Sequence, residues 1–181
     1  MQRRERSFSR VLLVLFLVFF IWFVLQVLAP VQVPPQSISD LSGMVGIQDN
    51  NHLTYDMPFP SNIMYSLGDR LCHQKAERSF FLNGNQMPFC ARCTAIWGGL
   101  AIGVGIMVFY ALQLNEKFLI IIVCGIVPLA LDGVGQLVGL WESTNSLRFI
   151  TGIAAGGACG IAIGVIIDEV KPYLLRKNKH Q

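Results

Sequence analysis

The sequence predicts an all-α integral membrane bundle of about four transmembrane helices, with a short extracytoplasmic helix and hairpin between the first and second spans. Three observations lead there. Hydrophobic residues make up 53% of the chain and charged ones only 14%, with a mean hydropathy of +0.53. A soluble domain of 181 residues needs more charge than that. Four runs approach the ~20 apolar residues that a bilayer core requires, at 11–28, 94–112, 118–140 and 149–167. None of them contains Lys or Arg, and the third alone holds a carboxylate, Asp132.

Residues 1–30 read as an N-terminal membrane anchor. The opening "RRERSFSR" would suit the basic region of a signal peptide. The apolar run is longer than such a peptide uses, however, and Pro30 directly after Ala29 makes a poor cleavage site. Basic residues set the orientation. Arg3, Arg4, Arg6, Arg10, Lys117, Lys171, Arg176, Lys177 and Lys179 fall on one side, and Arg70, Lys75, Arg78, Arg92 and Arg148 on the other. Nine against five predicts a multi-pass plasma-membrane protein with both termini cytoplasmic. The net charge of +3 then reflects topology and gives no case for nucleic-acid binding.

Residues 31–60 are rich in Pro, Gly, Ser and Asn without sustained periodicity, and read as an extracytoplasmic tether in which His52 is a solvated loop residue. An extracytoplasmic Cys/His segment follows at 61–93. Pro60-Ser61 is a plausible helix start, and Met64, Leu67 and Leu71 recur at amphipathic spacing. "SFFLNGNQMPF" places strand-like residues around Asn-Gly, a two-residue hairpin signal that would carry Cys90 back toward Cys72. Residues 94–170 form a Gly-rich three-helix membrane core. Gly152, Gly156, Gly160 and Gly164 make a ladder at four-residue spacing, and the pairs Gly99/Gly103 and Gly135/Gly139 repeat it. Small residues at this spacing let helix backbones approach closely. Residues 171–181 are a basic cytoplasmic tail, which reads as a stop-transfer flank.

The chemistry gathers at one membrane boundary, expected to be the extracytoplasmic one. The predicted topology brings the start of span two (Cys90, Arg92, Cys93), the outer half of span three (Asp132, Gln136) and the loop with Glu142, Ser143, Asn145 and Arg148 to the same level. A carboxylate inside an apolar span costs about 2.5–3.5 kcal/mol at the centre, so Asp132 needs a partner or a task. Arg148 is its expected counter-charge, with Arg92 the other choice. Cys72, His73, Cys90 and Cys93 supply three thiolates and an imidazole, a donor set suited to tetrahedral zinc. In that reading Asp69, four residues before His73, would orient the imidazole. The adjacency of Cys72 and His73 counts against both reaching one metal. Asp132 or Glu142 would then act as acid/base beside Gln136, while Arg148, Asn145 and Ser143 hold an anionic group such as a lipid phosphate. A homo-oligomer or a larger membrane complex is compatible with this reading.

Two other functions stay open on these residues. Cys90-Ala-Arg-Cys93 leads into a helix, where the dipole and Arg92 would activate a thiol for disulfide exchange. The outline resembles quinone-linked disulfide-generating membrane enzymes, although only Cys72 remains as a further loop cysteine. A non-catalytic scaffold or complex subunit with a structural zinc or disulfide is the third class. Cys124 and Cys159 lie within spans, where small apolar packing is expected of them.

The stretches "CHQKAERSFF", "PFCARCT", "LDGVGQ" and "ESTNSLRFITG" resemble a family of small prokaryotic membrane proteins of unknown function, with a Cys-His motif followed by a CARCTG-like motif. The resemblance covers roughly residues 71–157. It implies that Cys72, His73, Arg78, Ser79, Cys90, Arg92, Cys93, Asp132, Gln136, Ser143, Asn145 and Arg148 match the family pattern. Ala95 stands where that family usually has glycine. No activity comes with the resemblance.

Overall fold

The computed structural model describes residues 9–112 and 114–177, with backbone alone at 117 and 171–177. Four of its helices are long and apolar enough to cross a membrane. In chain order the helices are α1 (Arg10–Gln32), α2 (Asn51–Thr54), α3 (Ser61–Leu71), α4 (Ala91–Phe109), α5 (Glu116–Leu137) and α6 (Asn145–Lys177). A 3-10 turn at Ala76–Arg78 and a hairpin of β1 (Phe81–Leu82) and β2 (Asn85–Gln86) lie between α3 and α4. The all-α membrane bundle expected from the sequence is the architecture found. Arg3, Arg4, Arg6 and Lys179 lie outside the described residues, as do the side chains of Lys117, Lys171, Arg176 and Lys177, so the basic-residue argument for orientation stays an expectation.

The bundle is centred on α4 and α6. Half of the apolar window of α4 is buried, against 17% for α5. The other two spans flank the central pair: α1 packs on α4, and α5 packs on α6. Glycine explains the closeness of the centre. A Cβ on Gly99 would meet the carbonyl of Ile153 and the Cα of Gly156, and one on Gly160 would meet the carbonyl of Leu100 and the Cα of Gly103. The ladder therefore faces α4 with backbone against backbone, the arrangement that small residues permit in lipid. Gly139 departs from this pattern. It lies beyond the end of α5 at φ +74, with its N–H donated to the Gln136 carbonyl and that of Leu140 to Gly135. It ends the helix in a left-handed turn and packs against no neighbour. Cys124 and Cys159 also depart from expectation, since both are exposed on the outside of the bundle and do not pack within it.

Outside the spans, a second apolar cluster unites Ala29 and Val33 from the end of α1 with Ile38, Leu41, Met64 and Tyr65. Leu71, expected on the buried face of α3, is exposed. The hairpin forms at Asn83-Gly84, both at positive φ (56° and 73°), as a two-residue turn of primed type requires. Its second arm is buried and polar. Asn85 Oδ1 accepts the N–H groups of Ser37 and Ile38, while its Nδ2 donates to the carbonyls of Pro30 and Pro34. Gln86 accepts from Leu41 N and donates to Gln74 O and Ser79 Oγ. The Tyr65 hydroxyl donates to the Gln86 carbonyl at 2.6 Å, and burial pushes its pKa up. Residues 33–41, which have no helical or strand periodicity, are thus fixed by two amides nearly fifty residues away.

The helix contact gives a test with an internal control. A Cβ on Gly156 would run into the Ile96 backbone, whereas one on Gly157 meets only a carbonyl oxygen 3.8 Å away. Gly156→Ala should lower stability by about 1–3 kcal/mol through overpacking. Gly157→Ala should be neutral or stabilising by up to ~1 kcal/mol through helix propensity. Melting of both variants in detergent checks the pair, and equal effects would contradict this packing.

Candidate functional site

The site lies at the end of the bundle where α4 and α6 begin and α5 finishes. Cys72 follows α3 directly, and Cys90 is the residue that caps the start of α4. Buried β2 and the buried run Met87-Pro88-Phe89 lead into Cys90. Gln74 Nε2 donates to the Pro88 carbonyl at 2.8 Å, tying the stretch after Cys72 to the stretch before Cys90. As a result the Sγ atoms of Cys72, Cys90 and Cys93 all lie within 4.8 Å of one another. Three Zn–S bonds of ~2.3 Å in a tetrahedron place sulfurs roughly 3.8 Å apart, so a small contraction would let this cluster hold a metal.

Cys72 is the acceptor of the cluster. Its thiol is held far below the usual range, first by hydrogen bonds from the Cys90 and Cys93 side chains and then by backbone donors, against the opposing effect of burial. The Cys90 amide is one such donor, 3.4 Å from Cys72 Sγ. The Cys90 thiol is pushed up in turn, chiefly through its hydrogen bond to Cys72.

His73 does not join the cysteines. Helix α3 stops at Leu71, and Cys72 is extended (φ −139, ψ 147), so consecutive side chains point to opposite sides. Cys72 points inward and is buried, while His73 is exposed. Asp69 likewise serves another purpose than orienting His73. It is buried, and its carboxylate accepts the backbone N–H and side-chain amide of Asn50, both at 3.0 Å.

Beside the cysteines lies a charged cluster. Asp132 is ion-paired with Arg92 from the first turn of α4, and its Oδ1 has no hydrogen-bond partner among the described residues. The expected partner, Arg148, instead donates from Nη1 to Asn145 Oδ1 at 2.7 Å. Although α5 packs chiefly on α6, Arg148 is engaged with Asn145 within its own helix, and Arg92, a quarter exposed, reaches across from the start of α4. Asn145 completes a bridge, donating from Nδ2 to the Ser79 carbonyl, while Phe80 packs edge-on against Phe149. Buried Ser143 and the Trp141 indole approach the same carboxylate as Arg92. Gln136 is half-buried on α5, and Glu142 is exposed on the loop; no hydrogen bond or ion pair joins either one to the cluster among the described residues. Arg78 was singled out in the sequence only through the family resemblance. It stands in the 3-10 turn just before Ser79, and its charge, with that of Arg92, acts on Arg148.

Fold and site together define a multi-pass membrane protein with a three-cysteine cluster beside a buried Asp/Arg centre. The chain belongs to the family described as predicted membrane protein (DUF2085), whose model matches residues 72–165, just over half of the chain. That stretch opens on Cys72 and takes in every residue of the site except the supports contributed by α1 and α3. An uncharacterized protein of Methanocaldococcus jannaschii is 42% identical over 102 residues, which cover 54% of this chain and 64% of that protein. An uncharacterized protein of Methanothermobacter thermautotrophicus is 34% identical over 109 residues, covering 58% of this chain and 91% of its own length. No solved structure matches.

The ion pair yields a measurable coupling. Removing one partner of a buried pair leaves an uncompensated charge, so Asp132→Ala should cost about 3 kcal/mol, near the low end of the range because Arg92 is partly exposed. Adding Arg92→Gln to Asp132→Asn should cost much less than the sum of the two single changes. A double-mutant cycle on melting in detergent measures the difference, and additive effects would argue against the pairing.

Proposed function

We propose that the protein is a zinc–thiolate membrane protein whose site faces the extracytoplasmic side and acts on an anionic, membrane-associated substrate. The observation that carries this reading is the convergence of the Cys72, Cys90 and Cys93 sulfurs, with His73 turned away. Three thiolates suit zinc among the divalent metals, and three protein ligands are the number that catalytic zinc sites use. Zinc held by these residues would supply Lewis acidity or an activated water.

The other roles belong to the chain itself. Arg92 pairs with the Asp132 carboxylate and orients it, leaving Oδ1 as the acceptor for a substrate proton. Ser143 and Trp141 shape the same corner. Arg148, held by Asn145, offers positive charge to the substrate. Glu142 and Gln136 have no comparable support for a catalytic part.

Metal content of the detergent-purified protein, measured by mass spectrometry together with a thiol count, tests the reading. About one zinc per chain is expected, lost in Cys72→Ser, Cys90→Ser and Cys93→Ser and retained in His73→Ala. A metal-free protein with two thiols unreactive until reductant is added would sink the zinc reading. Thiol–disulfide exchange, or a plain structural disulfide, would then take its place.

A further inference from the structure

We propose that Arg148, Arg78 and Arg92 form a binding site for a phosphoryl group, directly beside the cysteine cluster. This deepens the reading above by naming the group that the anionic substrate presents, and it stands on observations separate from the sulfurs.

The first observation is an imbalance of charge. The charges of Arg78 and Arg92 both act on Arg148, and the buried carboxylate beside them, Asp132, is already paired with Arg92. Glu77 offers Arg78 a single contact at 3.7 Å from a largely exposed position, which is worth little in water. Three guanidiniums against the carboxylates of Asp132 and Glu77 leave a positive balance before the sulfurs are counted. A site left positive in this way at a membrane boundary is incomplete without an anion.

The second observation is an unmet hydrogen-bonding requirement. Arg148 is 96% buried by its 4% exposure, donates to Asn145 through Nη1, and has an Nε without a partner. The Nε atoms of Arg78 and Arg92 are likewise buried and without a hydrogen bond among the described residues, that of Arg78 having only the loose Glu77 contact. Buried donors of a native protein normally have partners, and guanidinium forks fit phosphoryl oxygens in paired fashion.

The third observation is the direction of two long helices. α4 and α6 both begin at this end, so two positive helix termini add to the arginines. Asn145 fixes the spacing between the arginine-bearing segments, since it accepts from Arg148 and donates to the carbonyl of Ser79, next to Arg78.

The phosphoryl group can come from a lipid headgroup or from a soluble phosphate, and the experiment separates the two. Full-length protein in detergent is titrated with inorganic phosphate, and in mixed micelles with phosphatidic acid against phosphatidylcholine. Tryptophan fluorescence is the readout, since Trp141 approaches the Asp132 carboxylate. Saturable change with phosphate supports the site and a soluble source; change with phosphatidic acid alone supports the site and a lipid source. In either case Arg148→Gln and Arg78→Gln should weaken binding about tenfold or more. Arg78 is partly exposed, so its variant keeps the test valid if Arg148→Gln does not fold. Asn145→Ala should weaken binding less than either. No response to either ligand, or affinity unchanged in both arginine variants, overturns the proposal. Zinc counted on the same samples keeps the two readings apart: phosphate binding without zinc would leave this site standing and remove the metal, and zinc without phosphate binding would do the reverse.

Discussion

The site depends on two neighbouring amides in the second arm of the β1–β2 hairpin. Asn85 and Gln86 are both fully buried; their side chains meet backbone groups of three other stretches of chain, and the Gln86 carbonyl accepts from Tyr65 of α3. Through these bonds the end of α1, residues 33–41, α3 and the stretch after Cys72 become one unit that runs without slack into Cys90. A buried amide left unpaired costs a few kcal/mol, so each of these bonds is strongly specified. Tight packing reinforces them: a Cβ on Gly68 would strike the Pro88 carbonyl. The cysteines meet because this polar knot brings α3 against the start of α4. Nothing in the sulfurs themselves requires it.

The membrane half obeys a different constraint. In lipid, helices gain little from burying apolar side chains against each other, and close backbone contact takes that role. Gly99 and Gly103 interlock with Gly156 and Gly160, which fixes the register of α6 on α4. That register decides which polar residues share a level. It sets the start of α6, where Asn145 accepts from Arg148 one turn on and donates to Ser79, level with Arg92 on the neighbouring helix, which takes the carboxylate of Asp132.

Much of this was legible in the sequence because it rests on local or strictly periodic signals. Span length, the glycine ladder and Asn83-Gly84 each have a physical cause confined to a few residues. The gathering of Cys90, Arg92, Asp132 and Arg148 at one end followed from counting spans. What escaped the sequence depends on single backbone angles or on long-range partners. His73 leaves the cluster because the helix stops one residue before Cys72 and the chain turns extended there. The choice of Arg92 over Arg148 runs against helix packing, since α5 packs chiefly on α6, and it depends on side-chain reach that no spacing reveals. Residues 33–41 resembled a loose tether because their anchors are amides far along the chain. Gly139 matched the ladder by spacing alone and proved to be a helix terminator.

One feature of the bundle explains another. Two adjacent helices that point the same way cannot be joined by a short loop, because the chain leaves the first at the wrong face of the membrane. α4 and α6 are such a pair, and α5 is the return stroke between them. It carries the chain back across the bilayer so that a second helix can begin where the first began. Among the described residues, the face that touches α6, Gly135 under the Trp141 ring and the one carboxylate near its end are constrained by neighbours. The remainder of α5 has lipid as its partner and can vary among apolar residues, which places its chemical information in a single turn around Asp132.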